Sequence, residues 1–118
     1  MSCAGYNTLT ANSHGFKTVS GRANMKTKPH WMPDTEDISL KIIVEAKTGR
    51  ILGGQAIGTS GTDWRINMIA LAIKKKMSIH EFSTIELAYC PAVSDLYDPL
   101  MVAIDATIRR LESTQKTL

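Results

Sequence analysis

The residues best suited to chemistry in this sequence are a tyrosine and a cysteine side by side before a proline, Tyr89-Cys90-Pro91. A phenol can donate a hydrogen bond or a proton, and a thiolate can act as a nucleophile or as a redox group. The neighbouring sequence shows no base and no helix N-terminus that would favour the thiolate of Cys90. The pattern therefore favours a small buried residue at this position, and the alternative is a stand-alone small thiol redox protein that uses Cys90.

The other side chains that could bind a metal or catalyse a reaction are dispersed. Neither the histidines nor the cysteines have the close spacing typical of a zinc site; these residues are His14, His30, His80, Cys3 and Cys90. Asp98 directly precedes Pro99, and this pair is typical of a helix start in which the carboxylate is the cap. The sequence therefore predicts no metal site, and it predicts a structural role for Asp98 rather than that of an acid.

Composition limits the possible partners. A chain of 118 residues with 43% hydrophobic residues is long enough for one domain with its own core. We expect no membrane partner, because the sequence has no apolar run of about 18 residues, and the first residues do not resemble a signal peptide. The net charge of +3 and the single dense basic run at 74–76, without interleaved aromatic residues, do not indicate a nucleic-acid partner. A cytoplasmic location with two free thiols is expected.

The most regular element is a predicted hairpin at about 38–57. Its first strand alternates apolar and polar residues from Ile38 onward, and the chain turns at Thr48-Gly49. The return strand carries Gly53 and Gly54 where side chains normally stand. A glycine inside a strand indicates a bend or the close approach of another part of the molecule.

The remaining patterns predict one more strand and four helices. We expect helices at about 8–14, 63–76, 79–83 and 98–113, with a strand at about 16–25 and a short strand candidate at 87–89. Helix 98–113 has an apolar stripe that includes Leu100. The fold class is therefore α+β: a mostly antiparallel sheet with helices packed on one face, in a single domain over 1–118.

Taken together, these patterns resemble one known family. The matching features are the glycine–alanine–glycine spacing of Gly5, Ala11 and Gly15, the hairpin at 48–58, the helix segments 65–67 and 70–73, and the closing motifs at 87–91 and 98–99. In this order and spacing they resemble the C-terminal dimerisation domain of the pyridine nucleotide-disulfide oxidoreductases. Among these flavoproteins, the chain is most similar to the branch of NADH oxidases, NADH peroxidases and coenzyme A disulfide reductases.

The resemblance implies a homodimer in which each C-terminal domain completes the active site of its partner. It places the loop with Tyr89, Cys90 and Pro91 against the flavin and substrate pocket of the partner subunit. The candidate interface residues are Trp31, Tyr89, Pro91 and Leu100. Trp31 could instead be an ordinary packing residue of a loop.

The resemblance also implies parts that this sequence does not contain. The parent enzymes use FAD and NAD(P)H, yet no Gly-x-Gly-x-x-Gly motif that could hold a dinucleotide pyrophosphate is present. The FAD/NAD(P)-binding domains of the parent enzyme are therefore expected partners. We expect this chain to bind no cofactor and to be inactive when isolated.

Overall fold

The computed structural model describes residues 1–29, 31–87 and 97–116, which form one antiparallel sheet and four helices. The strands are β1 (Ser2–Gly5), β2 (Thr18–Lys26), β3 (Asp37–Glu45) and β4 (Ile51–Gly58), in the order β1-β4-β3-β2. The helices are α1 (Thr8–Ser13), α2 (Thr62–Lys74), α3 (Ile79–Phe82) and α4 (Pro99–Lys116). The α+β class predicted from the sequence is confirmed.

The predicted hairpin is the centre of this sheet. Successive residues of β3 point to opposite faces, and Leu40 and Ile42 are almost completely buried. The chain reverses at Gly49, whose φ of 75° favours glycine. The register shifts between Ile43 and Val44, so that Leu52 is an extra residue in β4.

The main core lies between one face of the sheet and the helices α2 and α4. Both helices have the predicted apolar stripes, with Ile66 and Ile69 buried on α2 and Leu100 and Ile104 buried on α4. The helix α1 is an exception to packing on one face. Its Ala11 packs in a separate cluster with Ile43 and Leu52 on the opposite side of the sheet.

The strand β1 was absent from the predicted elements. Its sequence, Ser2-Cys3-Ala4-Gly5, has no apolar alternation and no β-branched residue. The strand forms through its pairing with β4. Ser2 lies opposite Ala56, and Gly5 lies opposite Gly53.

The glycines of the strands allow close approach, as predicted for Gly53 and Gly54. A β-carbon built at Gly54 would lie 2.7 Å from the Cδ1 atom of Ile69 on α2, and one at Gly53 would overlap the carbonyl oxygen of Tyr6. Gly21 on β2 has the same role toward α4, because a β-carbon there would lie 2.6 Å from the Cα atom of Thr107. At Gly21 the backbone of the sheet therefore packs directly against the backbone of α4.

None of the helices in the described ranges is both long enough and apolar enough to cross a membrane.

Candidate dimerisation surface

The predicted contact loop falls outside the described part of the chain. Tyr89, Cys90 and Pro91 belong to the segment 88–96, so their predicted contacts with a partner stay predictions. The structure does describe the positions on either side, Leu87 and Tyr97. The residues next to this segment therefore define the candidate site.

A buried arginine fixes the C-terminal end of this segment. Arg65 on α2 is 0% exposed and forms a two-pronged ion pair with Asp98, with 3.0 Å from Nε to Oδ2 and 2.7 Å from NH2 to Oδ1. Its NH1 group donates to the carbonyl oxygen of Gly61 at 2.9 Å, and NH2 donates to that of Thr27 at 3.2 Å. We call Arg65 with these three partners the Arg65 anchor.

Asp98 has a second function within the Arg65 anchor. Its Oδ2 atom accepts a hydrogen bond from the backbone N–H of Leu100 at 2.8 Å, which caps α4 as the sequence predicted. A buried charge is tolerated only when it is paired and hydrogen-bonded, and both members of this pair meet that condition. The Arg65–Asp98 pair therefore joins the start of α4 and the start of α2 to Thr27, directly after β2.

The loop that carries Trp31 begins at this anchor. Beyond Thr27 the chain continues as a narrow hairpin, in which the N–H of Lys28 donates to Oγ1 of Thr35 at 3.1 Å. Lys28 also pairs with Asp34 at 2.6 Å. These bonds hold the base of the loop, and the side chain of Trp31 at its tip is 62% exposed.

The ion pair at the base of this loop predicts a pH effect. The hydrogen bond from Lys28 lowers the pKa of Asp34 below its ordinary value of 3.8. The pair therefore contributes stability above pH 3.8, and this contribution is lost as the pH falls through the lowered pKa. We expect a carboxyl carbon NMR titration of Asp34 to show a midpoint below 3.8, and the Lys28→Gln variant to move it upward. An unchanged midpoint in Lys28→Gln would contradict this origin.

Two exposed aromatic side chains lie close in the sequence to residues of the Arg65 anchor. Tyr97 is 51% exposed and directly precedes Asp98, and Trp31 lies four residues beyond Thr27. The ring of Trp64 is partly buried, with the guanidinium carbon of Arg65 4.3 Å from its centroid. The anchor therefore joins the segments that carry Trp31 and Tyr97, and Tyr97 directly follows the segment 88–96, which makes this region the candidate contact surface.

Leu100, one of the predicted interface residues, is buried inside the chain. Its side chain is 1% exposed and belongs to the chain's own core. Because α4 turns this residue toward the sheet, it cannot contribute contact area to a second copy. Tyr97 is the exposed apolar residue near the start of α4. It is not among the interface residues predicted from the sequence. An aromatic residue directly before a predicted helix cap was the available signal.

No group of three or more potential metal-ligating side chains occurs in ranges 1–29, 31–87 and 97–116. Cys3 is a free, exposed thiol on β1. His30 and Cys90 lie outside those ranges.

Comparisons with known proteins agree with this architecture. Residues 1–100 match the family described as pyridine nucleotide-disulphide oxidoreductase, dimerisation domain. An NADH oxidase of Methanocaldococcus jannaschii is 30% identical over 109 residues, and this match covers 92% of the chain and 24% of the relative. An NAD(P)H sulfur oxidoreductase (CoA-dependent) of Pyrococcus furiosus is 33% identical over 96 residues, covering 81% of the chain and 21% of the relative.

A solved NAD-dependent persulfide reductase from A. fulgidus has the same fold, with a TM-score of 0.89 and 28% identity over 94% of this chain. The match covers 21% of that protein, so the chain spans roughly a quarter or less of the length of these relatives. The match of sequence and fold is nonetheless continuous across this portion. The chain belongs to the dimerisation-domain family of the pyridine nucleotide-disulphide oxidoreductases.

Proposed function

We propose that this chain forms a homodimer and thereby completes the active sites of a flavin-dependent oxidoreductase of the NADH oxidase or coenzyme A disulfide reductase type. The observation that carries the proposal is the Arg65 anchor, which joins the chain segment that leads to the exposed Trp31 with the exposed Tyr97, the residue that follows the segment 88–96. Aromatic side chains of this kind are enriched among the residues that contribute most to protein interfaces. In this proposal Tyr89, Cys90 and Pro91 contact the active site of the partner.

A two-fold interface uses the same patch on both copies. Each chain then contributes Trp31, Tyr97 and the segment 88–96 once, so that the interface contains two copies of each, related by the axis. A contact of this kind removes two half-exposed aromatic rings per copy from water, which favours association. It also explains why the anchor is built from a fully buried charge pair: the pair fixes the relative positions of both contact segments.

The cofactors of such an enzyme, FAD and NAD(P)H, do not fit the glycines of this chain. A glycine-rich phosphate cradle needs open space above its backbone. Here the space next to Gly53 is filled by the backbone of Tyr6, and the space next to Gly54 by Ile69. This supports the proposal that the FAD/NAD(P)-binding domains of the parent enzyme hold both cofactors, and that the isolated chain transfers no hydride.

Self-association can be tested on the 118-residue chain. We expect sedimentation equilibrium at tens of micromolar to give about twice the chain mass of 13.0 kDa. The variant Trp31→Ser should weaken the dimer by about tenfold or more, because a central aromatic residue contributes about 2 kcal/mol or more to an interface. Combining it with Tyr97→Ser should weaken the dimer further.

The matched control is Leu9→Ser on α1. Leu9 is 80% exposed and lies on the helix packed against the opposite face of the sheet, so its loss should leave the dimer unchanged. A wild-type chain that stays monomeric at several hundred micromolar would contradict the proposal. So would a dimer that Leu9→Ser weakens as much as Trp31→Ser does.

A further inference from the structure

Three arginines surround one cavity at the outer edge of the sheet. The cavity has a volume of about 480 Å³ and lies between β2 and α4. Its lining residues are Ser20, Arg22, Ala106, Arg109 and Arg110. All three arginines are exposed, and no acidic residue lines the cavity. We call it the arginine cleft.

The fold brings these residues together for identifiable reasons. Arg109 and Arg110 follow Ala106 by three and four positions, so the three lie next to one another on α4. The helix sits close to β2 because Gly21 has no side chain to separate them. Arg22 is the next residue on this outer strand and extends to the same cavity. Ala106 is small and leaves the space between the guanidinium groups open.

The charges of the arginine cleft are not neutralised within the described structure. The guanidinium groups of Arg22, Arg109 and Arg110 form no ion pair or hydrogen bond with another residue of the described ranges, where the ion pairs are those of Lys26, Lys28 and Arg65. Asp105 lies one turn before Arg109 on α4, yet these two residues form no ion pair. By contrast, Lys26, Lys28 and Arg65 are each paired with a carboxylate, as in Lys26 with Asp37 at 2.8 Å. Like charges held together without a counter-charge destabilise a structure, and a bound anion would relieve this repulsion.

We propose that the arginine cleft binds a small, multiply charged phosphate compound. Planar guanidinium groups bind phosphate oxygens through paired, charge-assisted hydrogen bonds. The cavity also falls within the range of about 300–1,000 Å³ that is usual for small-molecule sites. The ligand is thus a diphosphate or a phosphate ester held by Arg22, Arg109 and Arg110. This inference does not depend on dimerisation, because no residue of the cleft belongs to the proposed contact surface.

Pyrophosphate is the probe for this site. Isothermal titration calorimetry at low ionic strength should detect its binding to the 118-residue chain. The double variant Arg109→Gln/Arg110→Gln should bind about tenfold more weakly or worse, since the loss of one charge-assisted hydrogen bond is enough for that change. The matched control is Lys74→Gln/Lys75→Gln, which removes the same charge from the exposed end of α2 and should change the affinity less than about twofold.

Ala106→Glu tests the location of the phosphate site without removing an arginine. A carboxylate in the centre of the cleft should abolish pyrophosphate binding, while circular dichroism shows that the helix content is kept. Chemical-shift changes caused by pyrophosphate should centre on residues 20–22 and 106–110. Absence of binding to the wild-type chain would overturn the proposal, as would equal weakening by the arginine and lysine pairs. A single-stranded oligonucleotide that binds more tightly than pyrophosphate and needs both clusters would also overturn it, in favour of nucleic acid.

Discussion

Gly53→Ala is expected to destabilise the domain by about 3 kcal/mol or more, at or above the upper end of the usual cost of overpacking. The added β-carbon would overlap the carbonyl oxygen of Tyr6 and lie 2.8 Å from its carbonyl carbon and 2.9 Å from its nitrogen. A side chain could rotate away, whereas this backbone is held by the bond from Tyr6 N–H to the carbonyl of Leu52 at 2.9 Å. Relief of the clash therefore requires β1 to separate from β4.

Glycine-to-alanine variants at three positions of β4 isolate the effect of the clash with Tyr6. A β-carbon at Gly54 would meet the side chain of Ile69, which can shift, so Gly54→Ala should cost less than Gly53→Ala. At Gly58 the nearest atom would be the carbonyl oxygen of Asp37 at 3.1 Å, and we expect a change within about 1 kcal/mol. Urea unfolding of the three variants provides the measurement. Equal stability of Gly53→Ala and Gly58→Ala would show that Tyr6 does not confine this position.

The second large effect is expected at the Arg65 anchor. Asp98→Ala should reduce the free energy of unfolding by about 3–5 kcal/mol, the usual cost of removing one partner from a buried ion pair. Arg65 would keep its bonds to the carbonyl groups of Gly61 and Thr27, but its charge would be buried without compensation. About 1 kcal/mol of the loss comes from the missing cap on Leu100.

Asp98→Asn removes the charge of the side chain but keeps an oxygen that can cap α4, so it separates the two contributions to stability. The amide oxygen can still accept from the N–H of Leu100, so this variant should be more stable than Asp98→Ala and less stable than the wild type. In the double variant Arg65→Met/Asp98→Asn no charge remains buried, and its destabilisation should be smaller than the sum of the two single changes. Additive losses at neutral pH, measured by urea unfolding, would contradict the coupling of these two residues.

The elements with strong periodicity could be predicted from the sequence, and those created by distant pairing could not. The hairpin follows from the alternation that begins at Ile38, and α4 follows from Asp98-Pro99 and its apolar stripe. Nothing within Ser2–Gly5 specifies a strand, because β1 exists through hydrogen bonds to residues about fifty positions further along the chain. Gly21 weakens the strand predicted at 16–25. Its packing role depends on Thr107, which is distant in the sequence and lies next to it only in the folded chain.

The candidate contact surface could also be predicted only in part from the sequence. Trp31 is an interface candidate because aromatic residues are favoured at protein interfaces, and the structure shows it exposed. Leu100 was placed in the interface by the family resemblance, although its position in the apolar stripe of α4 already indicated the core. Complete burial of Arg65 could not be foreseen, because lysine and arginine are almost never fully buried unless paired. Its partner lies 33 positions away with no local signal.

The close contact between Gly21 and Thr107 has a consequence for biosynthesis. The strands β2 to β4 are made before α4 and can pair as neighbours, but α4 covers their apolar face only after residues up to Leu111 have been made. Until then Val19, Leu40 and Ile42 face water in the nascent chain. This part of the core therefore closes only after α4 has been made, and the incomplete sheet exposes apolar side chains that favour aggregation.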